Sequence, residues 1–322
     1  MTMLSFSNII GLSFVTITLI VVTSLVVYLL KRIWRKNKYK LVWTPISCVE
    51  RRSNLSYEEF IREYASVGKP VIITDAMKDW KATTKWTADF FRSEYGSSNF
   101  LVTDVRNQTR VDMTVAEYLE RINTDKNEKF LYLRDLNLSS NPKLYEDYKV
   151  PVYFRDWLQR LPQKLVKKYY LNFYSIYVGA KDTSIGLHFD FLGMPGWVAL
   201  ISGRKRFVLF TPNLIPDAKD ILSYGEDENF NGNLENFPLY ANANPVEVIL
   251  EPGEIIYIPS KWWHHVKNLE NSVSLNGNII NEYCSEIVYQ DVSKEYPIKG
   301  RILPLILEFP WLGRFLFTTG LL

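Results

Sequence analysis

Histidine is the scarcest chemistry-bearing residue in this chain, with three in 322 residues, and the three fall in two places. His188 stands two residues before Asp190 in Leu187-His-Phe-Asp190, while His264 and His265 are adjacent in Lys261-Trp-Trp-His-His-Val266. On a β-strand, residues i and i+2 point to one face, so His188 and Asp190 would project an imidazole and a carboxylate into one cavity. A lone His-x-Asp means no more than a polar pair on a strand. A further histidine delivered at the end of a distant strand changes that, because two imidazoles and one carboxylate with open positions form the facial set that suits non-haem Fe(II). Neighbouring strand residues face opposite sides, so only one of His264 and His265 can point inward.

The elements that must carry these residues are short strands. Phe173–Gly179, Leu187–Phe191, Trp197–Ser202, Arg206–Phe210, Val246–Leu250, Ile255–Ile258, His265–Val273 and Ser274–Ile280 follow one another, broken by turns such as Gly203-Arg-Lys and Glu251-Pro-Gly-Glu254. Such a run predicts a sandwich or barrel of jelly-roll type with the site inside it. Ahead of it, Ser56–Tyr64, Thr87–Tyr95 and Val115–Ile122 have helical spacing. Lys69–Thr74, Phe100–Asp104 and Lys129–Arg134 read as strands, the last placing Tyr132 and Arg134 on one face. Ser223–Asn236 is polar and turn-rich, which predicts a surface insertion.

The net charge of +3 is unevenly spread. Residues 1–40 hold six basic residues (Lys31, Arg32, Arg35, Lys36, Lys38 and Lys40) and no acid, leaving 32 lysines and arginines against 35 acids elsewhere. No basic face for nucleic acid is implied. Residues 9–30 are uncharged and free of proline, as a membrane-spanning helix of roughly 20 residues requires. The basic cluster after them would then lie on the cytosolic side and place the domain there. Three Asn-x-Ser/Thr sequons (Asn54, Asn107, Asn137) would matter only in a lumenal domain. Cys48 and Cys284 have no metal-binding spacing and give no disulfide framework. Ile302–Leu322 is apolar but interrupted by Pro304 and Pro310. It could pack on the core, form a homodimer or lie at a membrane interface.

Several motifs together resemble one family. They are Lys69-Pro-Val-Ile-Ile, Tyr132-Leu-Arg, Leu187-His-Phe-Asp190, Gly203-Arg-Lys-Arg-Phe-Val-Leu-Phe210, Pro252-Gly-Glu-Ile-Ile-Tyr-Ile-Pro259, Trp262-Trp-His-His-Val266 and Ser272-Val-Ser-Leu-Asn276. Residues from about 45 to 283 resemble a JmjC-domain, cupin-like oxygenase of the small hydroxylase type. The resemblance implies a fold that is mainly β with flanking helices, a double-stranded β-helix, here preceded by the expected N-terminal transmembrane helix. It implies Fe(II) and 2-oxoglutarate as cofactors, O2 as co-substrate, and His188, Asp190 and His264 as the catalytic metal ligands. Lys205 matches the lysine that pairs with the distal carboxylate of 2-oxoglutarate, Tyr132 a tyrosine bonded to the same carboxylate, and Asn276 a site-lining asparagine. The Thr or Ser that the family commonly has three residues before the first metal histidine is here Ile185; either Thr183 or Ser184 beside it substitutes through a register change, or the contact is absent.

The implied organisation is a tail (1–8), a transmembrane helix (9–30), a basic linker (31–44), a catalytic domain (45–290) and an apolar C-terminal segment (291–322). The implied function is a membrane-anchored oxygenase that decarboxylates 2-oxoglutarate and hydroxylates a protein side chain. Hydroxylation is favoured over demethylation because no chromatin-reading module is visible. The alternatives are an inactive cupin-like binding module tethered to a membrane, or a cupin metalloenzyme that does not use 2-oxoglutarate.

Overall fold

The computed structural model describes residues 3–38, 42–105, 109–124, 130–137, 141–169, 171–212 and 244–320. The polar stretch Ser223–Asn236 lies outside them, as does Asn107. Thirteen strands are described: β1 (Glu50–Arg52), β2 (Val71–Ile73), β3 (Asn99–Asp104), β4 (Thr109–Thr114), β5 (Leu131–Asn137), β6 (Tyr174–Gly179), β7 (Ser184–His188), β8 (Gly196–Ser202), β9 (Lys205–Phe210), β10 (Val246–Leu250), β11 (Ile255–Ile258), β12 (Trp263–Asn268) and β13 (Ser272–Asn278). They form a nine-stranded sheet, in the order β1-β2-β11-β8-β13-β6-β5-β3-β4, and a four-stranded sheet, β10-β9-β12-β7. The eight strands β6–β13 are shared between the two sheets, four in each, in the manner of a jelly roll. The fold is thus cupin-like and mainly β, with flanking helices.

Position in the sheet explains the composition of each strand. All four residues of β11 are buried, because it lies between β2 and β8 with both faces covered. Edge strand β10 instead alternates buried Val246, Val248 and Leu250 with exposed Glu247 and Ile249, as expected of a strand with one face in solvent. The core between the sheets includes Leu200, Phe207, Leu209, Leu250, Ile256, Ile258 and Trp262. A second core backs the larger sheet and takes in the capped N-terminal helices. Ser56 closes a capping box with Glu59, and Thr87 accepts from the Phe90 amide at the head of Ala88–Tyr95. Both cysteines are free.

The N-terminal reading requires correction. The first helix runs Met3–Lys38, so residues 31–38 of the expected linker are helical. Its charges are used within the chain. Arg32 Nε lies 2.9 Å from a Glu286 carboxylate oxygen, and Lys31 and Arg35 pair with Glu308 at 2.9 and 2.7 Å. The Arg35 guanidinium also covers the Trp157 ring at 5.0 Å, and Tyr28 is buried. These cations therefore pair with two glutamates of the C-terminal helices. Among the described residues no helix is long and apolar enough to cross a membrane. The single-pass anchor, the membrane localisation and the cytosolic orientation deduced from it are not supported.

The C-terminal segment forms three helices: Ser285–Glu295, Pro297–Glu308 and Pro310–Thr318. Pro297 and Pro310 each start a helix, where the missing N–H costs nothing, and only Pro304 is interior. Val288, Tyr289, Ile306 and Leu307 bury against Trp157, Leu158, Leu161 and Leu165. The segment thus packs on its own chain, and this packing gives no support to the homodimer or the membrane interface considered for it.

Candidate active site

His188 is the last residue of β7, and Asp190 follows in extended conformation (φ −65°, ψ 154°) just beyond the strand. The strand expected through Phe191 stops early because Leu192 and Gly193 turn left-handed, at φ 55° and 62°. His264 sits on β12 directly opposite His188. The ligand-type atoms of His188, Asp190 and His264 all lie within 4.8 Å of one another. The Nε2 atoms of His188 and His264 are 3.9 and 3.8 Å from Asp190 Oδ1.

Backbone carbonyls fix both rings. His188 Nδ1 is 2.8 Å from the Gly186 carbonyl, and His264 Nδ1 is 3.0 Å from that of Trp262. A carbonyl only accepts, so each neutral ring carries its proton on Nδ1 and keeps a lone pair on Nε2, facing Asp190. Desolvation, with His264 as a second cause, lowers the His188 pKa to about 4, so this ring is neutral near pH 7. Asp190 is seated by a glycine: a Cβ on Gly196 would stand 2.2 Å from Asp190 Oδ2. Two imidazoles and a carboxylate are a fitting donor set for Fe(II).

A cavity runs inward from these atoms, and His188, Asp190, His264, Lys205, Tyr132 and Asn276 all line it. At its inner end Lys205 is 1% exposed. Its Nζ donates to the Tyr132 hydroxyl at 2.8 Å and to Asn268 Oδ1 at 2.7 Å. Among the described residues no carboxylate pairs with it. A buried ammonium without a counter-charge is costly, so this end is suited to a ligand carboxylate. Asn276 Oδ1 is buried with no hydrogen-bond partner among the described residues.

Residues 57–279 match the cupin-like domain family. The chain belongs to that family. Proteins similar to this cupin-like chain include one named a lysine-specific demethylase from Arabidopsis thaliana, 32% identical over 264 residues that cover 78% of this chain and 27% of that protein. Another is named a bifunctional arginine demethylase and lysyl-hydroxylase from Caenorhabditis elegans, 29% identical over 246 residues, 72% of this chain and 60% of that one. A third is named a 2-oxoglutarate and iron-dependent oxygenase from Gallus gallus, 27% identical over 260 residues, 73% of this chain and 60% of that one. The cupin-like chain spans between about a quarter and three fifths of the length of these relatives.

Within the cupin-like scaffold, strand pairing explains two points that alternation alone could not. His264 faces His188 and Val266 faces Ile185, so β7 carries one more residue than β12 between these pairs. This bulge lets Ile185 and His188, three apart, both line the cavity. Thr183 does not replace Ile185. It is fully buried, donating to the Ala180 carbonyl at 2.6 Å and accepting from Asn268 Nδ2 at 2.7 Å. His265 is buried but absent from the cavity lining, and desolvation, above all, lowers its pKa to about 3. Trp262 is core, its Nε1 donating to the Gly68 carbonyl, while Trp263 meets Phe189 edge-on.

The sequence reading missed Asn268, which holds Lys205, Thr183 and Ser272 together. Its place at i+4 from His264, on the same face as Val266, was the available signal. Gly196 offered none.

Proposed function

We propose that this chain is an Fe(II)- and 2-oxoglutarate-dependent oxygenase that hydroxylates a protein side chain, with its catalytic unit in residues 45–290. The carrying observation is one cavity with two complementary ends: three metal-type donors at one, and a buried ammonium without a carboxylate partner at the other. His188 and His264 would hold the metal through Nε2 and Asp190 through its carboxylate. Bound Fe(II) would supply the redox chemistry by which O2 decarboxylates 2-oxoglutarate to succinate and CO2 while a substrate C–H bond is oxidised.

The chain's own groups do the rest. Lys205 would pair with the distal carboxylate of 2-oxoglutarate. The Tyr132 hydroxyl accepts from Lys205, so its own proton is left to donate to the same carboxylate. Ile185, Val198, Phe207, Ile258 and Val266 would keep the cavity dry, which strengthens that ion pair. Asn276 Oδ1 offers an acceptor to an incoming N–H or O–H. His188 and Asp190 keep 35% and 20% of their side-chain exposure, which supports a substrate that reaches the metal end from outside, as a protruding side chain would. A relative bearing the name of a lysyl-hydroxylase agrees with this choice.

The test is succinate release by the full chain supplied with Fe(II), ascorbate and 2-oxoglutarate, against His264→Ala. The reading expects succinate from the parent alone. Ile185 favours a second reading, an inactive cupin-like module, because it presents an alkyl group where a hydroxyl could have met the co-substrate. Iron bound without succinate formed would select that one.

A further inference from the structure

Asp190 lies in the connection from β7 to β8, and His264 stands on β12 just after the connection from β11. Both connections are conformationally unusual. Leu192 and Gly193 in the first and Lys261 in the second have φ of 55°, 62° and 60°, a region that residues other than glycine seldom occupy. The Lys261 side chain lies across Gly193: a Cβ there would stand 2.9 Å from Lys261 Cε and 3.0 Å from its Cγ. Beyond Gly193 the Lys261 ammonium meets Asp291 of helix Ser285–Glu295, at 2.8 Å from Oδ2 and 3.1 Å from Oδ1. The same helix packs against the turn Phe191–Gly193.

One side chain therefore starts three residues before His264, crosses the backbone three residues after Asp190, and is tied down by a carboxylate from outside the barrel. Its alkyl stem lies where a Cβ on residue 193 would crowd it. Asp291 is 15% exposed and Lys261 28%, so the pair is partly shielded from solvent screening. The left-handed turns are the part of the site with the least sheet pairing to hold them. The pair is fastened over that part.

We propose that Lys261 and Asp291 form a strap that sets the position of the Asp190 turn relative to His264, and so governs the affinity and geometry of the metal centre. They are positioning residues, acting through Asp190 and His264. The inference rests on the metal reading of the site given above. Groups hydrogen-bonded directly to metal ligands typically change metal affinity 10- to 100-fold when removed; the strap acts one step further out, so the low end of that range is expected.

The experiment is Co(II) titration of the full chain, followed by visible absorption, with a thermal melt of each metal-free variant alongside. Lys261→Met keeps the stem and removes the charge, Asp291→Asn keeps the shape, and Lys261→Arg keeps the pair. The strap predicts Co(II) binding about 10-fold weaker in Lys261→Met and Asp291→Asn. It also predicts a shifted absorption band in both, the double variant no weaker than either single one, metal-free melting close to the parent, and affinity restored in Lys261→Arg. A parent that binds Co(II) while all variants match it in affinity and spectrum would overturn the strap alone. So would affinity losses that merely track lowered metal-free melting. A parent that binds no Co(II) would overturn the metal reading and the strap with it.

Discussion

At the metal end of the cavity, each imidazole is oriented by a main-chain carbonyl two residues earlier in its own segment. At the inner end, Lys205 is held by side chains 73 and 63 residues away, Tyr132 and Asn268. The first arrangement is local and, at His188 and Asp190, partly open to solvent. The second is assembled by the fold and sealed within it. A metal supplied from solution can enter an open, locally shaped set of donors. A carboxylate recognised by a single buried cation needs that cation placed in advance, because neither charge tolerates burial alone. The two ends should therefore respond differently to damage.

The largest effect is expected from His264→Ala, which removes one of three donors and should abolish iron binding, read as metal per chain. His265→Ala should leave iron stoichiometry unchanged, since that ring does not line the cavity. Loss of iron in the second and retention in the first would place the inward histidine at 265. Next, Lys205→Met should leave metal affinity intact and weaken 2-oxoglutarate binding by about 100-fold or more, the scale of breaking a buried charge pair (about 3–5 kcal/mol). The ligand-free Lys205→Met protein should melt no lower than the parent, because an uncompensated buried ammonium is gone. Both follow from calorimetry and a thermal melt.

A smaller effect is expected from Asn268→Ala, which frees Lys205, Thr183 and Ser272 at once. About 1–3 kcal/mol of stability should go with the buried groups left unsatisfied, and the KM for 2-oxoglutarate should rise while metal affinity holds. A loss of metal in this variant would join the two ends that the structure separates. A further effect concerns acid. His188 and His265 titrate near 4 and 3 in the folded chain but near 6.5 when unfolded. The unfolded chain then binds more protons below about pH 6.5, so metal-free stability should fall as pH drops through 6.5 towards 4. A denaturation midpoint flat across that window would contradict the neutral, buried state of both rings.

The contrast between the ends also explains what could be read from the sequence. The metal end was legible because its logic is local: three histidines in two clusters, a two-residue spacing, and a turn before the second cluster. Lys205 and Tyr132 were reached by resemblance, as nothing near either residue announces the other. The bulge in β7 was hidden because a one-residue mismatch between paired strands leaves no mark on either strand alone. The first helix was misread for a related reason. An uncharged run followed by Lys and Arg has the same pattern whether its charges face lipid or answer Glu286 and Glu308, which stand more than 250 positions later. Of the two prolines that interrupt the C-terminal apolar run, Pro310 begins a helix and Pro304 lies inside one, a distinction their positions in the sequence do not show.

The central claim is that one molecule of 2-oxoglutarate engages both ends. Binding at both requires the metal and 2-oxoglutarate to strengthen each other's affinity by the same factor. The decisive measurement is calorimetric titration of 2-oxoglutarate into the full chain with and without Mn(II), a redox-silent stand-in, repeated on Lys205→Met. The account predicts clearly tighter 2-oxoglutarate binding with Mn(II) in the parent, and 2-oxoglutarate binding lost or much weakened in Lys205→Met although Mn(II) still binds. Equal affinity with and without the metal, or 2-oxoglutarate binding that survives Lys205→Met unchanged, would contradict it.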